Sequence, residues 1–230
     1  MKVAGLSSLN KKEISMYGSK LTLASLDSEE QEIFEDNFNK LLATTDSQVR
    51  RIFEERADTI VAGIMAIKEK LNNRKFRGMN PADMEIGMGF IRPEFVKDTN
   101  VIINDWLVAL TGMGTWDTWL SNAADDGGFL MSEDHGLIIT HLVSQVTPQP
   151  FVRGVHFQIG RINLIPEEVA DILLGDNLNQ VPVFPIPTKV VLPEDELRLD
   201  VTGVAGNEYL KLGGLVVGLG RLLKAETPAW

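Results

Sequence analysis

VPVFPIPTKVVLPEDELRLDVTGVAGNEYLKLGGLVVGLGRLL, residues 181–223, reads as a succession of strands separated by tight turns. Pro182, Pro185 and Pro187 each remove a backbone donor, so Val181–Pro187 suits an extended segment at a sheet edge. Thr188–Leu192 continues as strand, and Pro193-Glu194-Asp195 carries good turn chemistry. Leu197, Leu199 and Val201 then alternate strictly with Arg198, Asp200 and Thr202, the period of a half-buried strand. Gly206-Asn207 reads as a hairpin turn before a long last strand from Tyr209 to Leu223. Gly213, Gly214, Gly218 and Gly220 weaken strand preference within it and imply bulges or close backbone approach.

Upstream, the pattern stays β-rich back to about residue 85. Gly136 opens a β-branched run over Leu137–Val146 that ends at Thr147-Pro148-Gln149-Pro150, and Val155, Phe157 and Ile159 alternate with His156 and Gln158. Pro166, Glu167, Glu168 and Gly175 give start and stop signals for a short helix with Val169, Ile172 and Leu173 on one face. Met88, Phe90 and Phe95 surround Pro93, Val101–Leu110 fits strand or short helix, and Thr111–Gly128 is a loop carrying Trp116 and Trp119.

The amino-terminal part follows the helical period instead. Residues 1–26 show no lasting period and form an arm. Asp27 with Glu30 caps a helix whose stripe is Ile33, Phe34, Phe38, Leu41 and Leu42. Thr44, Thr45 and Asp46 break it and cap a longer helix along Val49, Phe53, Ala57, Ile60, Ile64, Ile67 and Leu71. The short connector makes the two helices antiparallel neighbours. Their stripe either packs on the chain itself or joins subunits; the candidate subunit interface is Phe38, Leu42, Val49, Phe53, Ile60, Ile64, Ile67 and Leu71. The fold class is therefore α+β, with an arm (1–26), a helical hairpin (27–84) and an antiparallel β-sandwich of jelly-roll type (85–225).

Composition excludes several functions. With no cysteine, thiol catalysis, disulfides and zinc–thiolate sites are out, while the compartment stays undecided. No apolar run reaches the roughly 18–20 residues of a membrane-spanning helix, and residues 1–19 lack the apolar stretch of a signal peptide. The net charge of −10 is uneven: residues 1–100 hold 15 basic and 16 acidic side chains, residues 101–230 hold 7 and 16. The acidic second part argues against direct nucleic-acid contact there. Lys68, Lys70, Arg74, Lys75 and Arg77 cluster in the first part, where cations suit a helix carboxyl end.

Candidate chemistry is sparse. Pairing across Thr147–Pro150 would set His141 opposite His156, two possible ligands of a cupin-like metal site, with His135, Glu133 and Asp134 near the strand start. The set lacks the tight His-x-His spacing such a site uses, so no metal, cofactor or catalytic residue is assigned. Asp125, Asp126, Glu133 and Asp134 lack an EF-hand pattern and read as a solvated acidic loop. Trp116 and Trp119 either stack a sugar ring or anchor their loop in the core. No Gly-x-Ser-x-Gly elbow or phosphate-binding glycine loop occurs.

Taken in order, Pro150-Phe151 through Gly160, the Pro166–Gly175 segment, Phe184-Pro185-Ile186-Pro187 and Glu208-Tyr209-Leu210-Lys211-Leu212-Gly213-Gly214 resemble a viral single jelly-roll capsid protein. The likeness covers residues 85–225 and is one of order and spacing. It implies a virion structural protein that assembles with itself, and with other virion proteins, through edge and loop contacts, without catalysis. The hairpin departs from the simplest members of that family and would serve as an inter-subunit tie or an inward-facing element. The location implied is the virion; outside that family the chain reads as a soluble protein. A carbohydrate-binding sandwich and a cupin-like metalloenzyme are the alternatives.

Overall fold

The computed structural model describes residues 13–16, 19–22, 38–72, 86–96, 106–120, 129–144, 152–160, 162–164, 167–168 and 183–219. Strands β1 (Glu13–Met16) and β2 (Ser19–Thr22) form a two-stranded antiparallel ribbon inside the arm segment. Helical residues 38–43 (α1) lead to α2 (Ser47–Glu55) and α3 (Ala57–Asn72). The expected cap at Asp27 lies outside the described residues. The expected cap at Asp46 is present: its Oδ1 accepts the Gln48 N–H at 2.8 Å.

The strands that follow are β3 (Ile86–Phe90), β4 (Leu107–Leu110), β5 (Asp117–Leu120), β6 (Phe129–Leu130), β7 (His135–Ser144), β8 (Val152–Ile159), β9 (Ile162–Asn163), β10 (Glu167–Glu168), β11 (Val183–Val191), β12 (Glu196–Gly203) and β13 (Gly206–Leu219). They make two antiparallel sheets. The first has the order β11-β7-β13-β3, with β4 on the early part of β13; the second has the order β10-β8-β12-β5, with β6 on β12 and β9 on β8.

Inward side chains of both sheets share one core. Leu137, Ile139 and Leu142 of β7 and Leu210, Leu212 and Val216 of β13 meet Phe157 of β8 and Leu197, Leu199 and Val201 of β12, all buried. The strict alternation read in Glu196–Gly203 is thus the pleat of a strand with one wet face. The second sheet's outer face carries Arg153, His156, Gln158, Arg198, Asp200 and Thr202, all part-exposed. Strand β7 differs because both its faces are covered, so its sequence does not alternate between apolar and exposed polar residues.

The cover on the first sheet is the helical layer. Ile138 of β7, Val190 of β11 and Leu215 and Val217 of β13 face it, packed with Phe38, Phe53, Ile60, Ile64 and Ile67. The helix expected from Val49 to Leu71 is interrupted at Arg56, whose φ of −114° and ψ of 15° leave the helical region. The side chain at this break makes a contact far away in sequence. Thr140 is an extra residue in β7, since Ile139 pairs Gly214 and His141 pairs Gly213. The bulge leaves the Thr140 carbonyl off the ladder, and Arg56 Nη1 donates to it at 2.8 Å.

Four expectations are corrected. Strands β7 and β8 do not pair, because β11 and β13 occupy both edges of β7; their connection crosses between the sheets. Likewise Gly206-Asn207 does not close a hairpin: β12 and β13 belong to different sheets, and Val204-Ala205 is a corner between them. The segment opening at Pro166 is not helical at Glu167–Glu168, which pair with Val155 and Gly154 as β10; residues 169–175 lie outside the described part. The stretch 111–128, read as loop, contains β5, paired with β12. By contrast, the proline-bearing segment is an edge strand as expected, with its register shifting between Pro185 and Lys189. The Pro193-Glu194-Asp195 turn also forms, closed by Asp195 N–H to the Leu192 carbonyl at 3.1 Å, with Glu194 at φ 68°.

Candidate functional site

The eight stripe residues sit on the chain's own first sheet. Phe38, Leu42, Phe53, Ile60, Ile64, Ile67 and Leu71 are buried, and Val49 is half-buried against the same cluster. Exposing seven such side chains would cost roughly 10–20 kcal/mol at about 1.5–3 kcal/mol each. That rivals the whole stability of an ordinary domain, about 5–15 kcal/mol. Within one chain, therefore, the docked helices keep this stripe covered.

A pocket of about 530 Å³ opens where the start of α2 meets the first sheet. Thr45, Asp46 and Val49 form its helical wall; Phe90 of β3, His141 and Val143 of β7, and Lys211 and Gly213 of β13 contribute from the sheet. His141 is only 4% exposed. Phe53 meets its ring edge-on at 5.9 Å, and its Nδ1 lies 2.9 Å from Thr140 Oγ1. Its partner across the ladder is Gly213, where any Cβ would overlap the imidazole. That overlap accounts for glycine at this place in an apolar strand. Burial chiefly, then the charges of Lys211 and Arg56, lower the His141 pKa to about 4.

The other histidines lie apart. His135 packs edge-on against Phe95 at 5.1 Å with Nε2 3.3 Å from the Phe95 carbonyl, and its Nδ1 is buried without a hydrogen-bond partner among the described residues. Burial lowers its pKa. His156 stands on the second sheet, opposite Asp200, with Nδ1 3.9 Å from Asp200 Oδ2. His141 and His156 therefore belong to different sheets, and the metal pair drawn from an uninterrupted hairpin does not form. No group of three or more His, Asp or Glu suited to a metal occurs among the described residues. Glu133 and Asp134 occupy the turn before β7; Asp125 and Asp126 lie outside the described residues.

The two tryptophans separate too. Trp119 is 8% exposed and packs 6.0 Å from Trp106 in the core, so it anchors its strand. Trp116 is 44% exposed and meets His156 at 5.9 Å. Beside that pair, Arg198 Nε donates to both Asp200 oxygens at 3.1 and 3.2 Å, and Thr118 Oγ1 donates to Asp200 Oδ1 at 2.9 Å. The basic cluster is represented by Lys68 and Lys70 near the end of α3, Lys70 in its last turn; Arg74, Lys75 and Arg77 lie outside the described residues.

Sequence reasoning missed Lys211, Arg56 and Glu208. Glu208 is fully buried, its Oε2 accepting the Val152 N–H at 2.8 Å while Oε1 lacks a partner. A charge between leucines in an otherwise apolar strand was the available signal for Lys211. Arg56 carried no local signal, because its partner is a bulge 84 residues away.

No protein-family model matches the chain, and no curated protein sequence does. Two solved structures are similar at a low level: the infectious bursal disease virus VP2 subviral particle, at 14% identity and a TM-score of 0.30, and infectious bursal disease virus Gx strain, at 15% identity and the same TM-score. Each likeness covers 64% of this chain and 37% or 38% of the other, so the chain spans well under half their length. Among the described residues no helix is long and apolar enough to cross a membrane. The protein's own architecture is a small helical layer on two packed antiparallel sheets.

Proposed function

We propose that the protein is a virion structural protein, a shell subunit with a jelly-roll body and no catalytic role. One observation carries the reading: the nesting of its strand pairs. A jelly roll is a long antiparallel hairpin rolled over a sandwich, so its first strand pairs its last, its second the next to last, and so inward. With β3, β5, β7, β8, β10, β11, β12 and β13 as the eight, the pairs are β3–β13, β5–β12, β7–β11 and β8–β10. All four nest. The rolling contacts β13–β7 and β12–β8 then close each sheet. Jelly rolls also build lectins and cupins. The cupin choice is disfavoured by the space between the sheets, which is filled by Phe157, Leu199, Leu137 and their neighbours, while His141 and His156 lie outside it.

In this proposal the arm (1–26), the helical hairpin (27–84) and the sandwich (85–225) act as separate units of one subunit, and other virion proteins are further partners. Contacts between copies fall on surfaces other than the buried helical stripe. Light scattering and negative-stain imaging across concentration and salt test this. Large, regular particles are expected; a monomer under every condition, alone or with co-expressed virion proteins, would overturn it.

A second reading, a ligand-binding sandwich, is favoured by the exposed Trp116 beside Arg198, Asp200 and Thr118. It predicts glycan-array binding that Trp116→Ala abolishes, and a blank array would remove it.

A further inference from the structure

The pocket at the helix–sheet junction holds two basic side chains whose polar atoms lack the partners they would need in a closed core. His141, 4% exposed, uses Nδ1 on Thr140, and its Nε2 makes no hydrogen bond among the described residues. Lys211 is half-buried and has no hydrogen-bond or ion-pair partner among them. Register brings the two together. Lys211 pairs Val143 and His141 pairs Gly213, so the side chains are diagonal neighbours on the pocket face of β7 and β13. Both line the same space.

Lys211 and Arg56 both act on the imidazole to disfavour its cation. Asp46, the acidic residue on the pocket wall, has one carboxylate oxygen engaged by the Gln48 N–H at the start of α2. Both basic groups line the open pocket, where an anion's acceptor oxygens would receive charge-assisted hydrogen bonds. The remaining wall is apolar, with Val49, Phe90, Ile91 and Val143. The volume of about 530 Å³ falls in the range of small-molecule sites, roughly 300–1,000 Å³.

From this geometry we infer that the pocket binds a small amphiphilic carboxylate, its apolar body against Val49, Phe90 and Val143 and its carboxylate between Lys211 Nζ and His141 Nε2. No covalent step is involved. The inference is independent of the shell reading, since a monomer would present the same pocket. Bound there, the anion would tie the start of α2 to β7 and β13 and so hold the helical layer on the first sheet.

Decanoate, kept below its micelle concentration, is a suitable probe for the full chain. Calorimetry should give saturable binding, and the His141 ring signals in a histidine-selective nitrogen–proton spectrum should titrate at higher pH with the ligand bound. Among the described residues, Lys211 of β13 and Arg56 between α2 and α3 act on that ring, and Asp46, the cap of α2, lines the same pocket. Lys211→Met should weaken binding at least about tenfold, the weight of a lost charge-assisted hydrogen bond. Val49→Trp, which fills the pocket while leaving both basic groups, should abolish it. Decanol binding as tightly as decanoate would overturn the carboxylate assignment. The whole inference falls if no saturable binding occurs, or if neither substitution changes it in proteins whose circular dichroism is unaltered.

Discussion

Acid should loosen the helical layer through one buried histidine. His141 is neutral in the fold because burial, Lys211 and Arg56 lower its pKa to about 4, against 6.5 for the free side chain. The unfolded chain therefore takes up a proton near pH 6.5 that the folded chain refuses until about pH 4. Stability from this group is complete above about pH 6.5, declines as pH falls to about 4, and is lost below that. A displacement of that size corresponds to about 3 kcal/mol. His135, lowered by its own burial, acts in the same direction. Many carboxylates titrate over the same interval, so the absolute acid loss is uninformative; the comparison with His141→Gln, which cannot take the proton, isolates the ring. Urea unfolding near pH 7 and pH 4 should show the parent losing about 3 kcal/mol more than the variant. Equal losses in the two proteins would count against a His141 held neutral by the fold, as would a His141 ring that titrates above pH 6 in the native state.

Three further substitutions probe the same framework. Gly213→Ala should cost about 2–4 kcal/mol in urea unfolding, because its Cβ overlaps the His141 ring, and the cost should shrink by at least about 1 kcal/mol in a His141→Ala background. Arg56→Met should cost about 1–3 kcal/mol by leaving the bulge carbonyl of Thr140 without its donor, read as a lower urea midpoint at unchanged slope. Trp119→Ala should cost about 3–5 kcal/mol, whereas Trp116→Ala should fall within about 1 kcal/mol of the parent in the same assay, since only the former belongs to the core.

Features with a local cause were legible in the sequence. Leu197, Leu199 and Val201 announce an inner face because alternation is a property of one strand. Pro185 and Pro187 mark an edge because a missing N–H is a property of one residue. Asp46 marks a helix start because its cap reaches only to Gln48. What failed depended on partners distant in sequence. A glycine-bearing turn looks the same whether it closes a hairpin or turns a corner between packed sheets, so β12–β13 was misread. The His141–His156 pairing rested on the same ambiguity. Glu167 and Glu168 carry helix-start signals, but β8 offers them an open edge and pairing wins. The four-residue β5 is too short to show a period, and the Arg56–Thr140 contact joins residues 84 apart.

The strand edges constrain how copies could associate. Strand β11, one edge of the first sheet, carries Pro185 and Pro187, which cannot donate to an added strand. The opposite edge, β3, has five residues, and the second sheet ends in the four-residue β5 and the two-residue β10. Short or proline-bearing edges disfavour growth of the sheets from one copy into the next. The outer face of the first sheet is already covered by helices, and that of the second is polar along β8 and β12. The β4–β13 ribbon is different. Leu107 and Tyr209 pair directly across it, at 36% and 50% exposure, while Val108, Glu208 and Leu210 turn inward. An apolar pair of this kind, with a tyrosine at its centre and polar residues such as Asn207 around it, has the composition of an interface core with a wet rim.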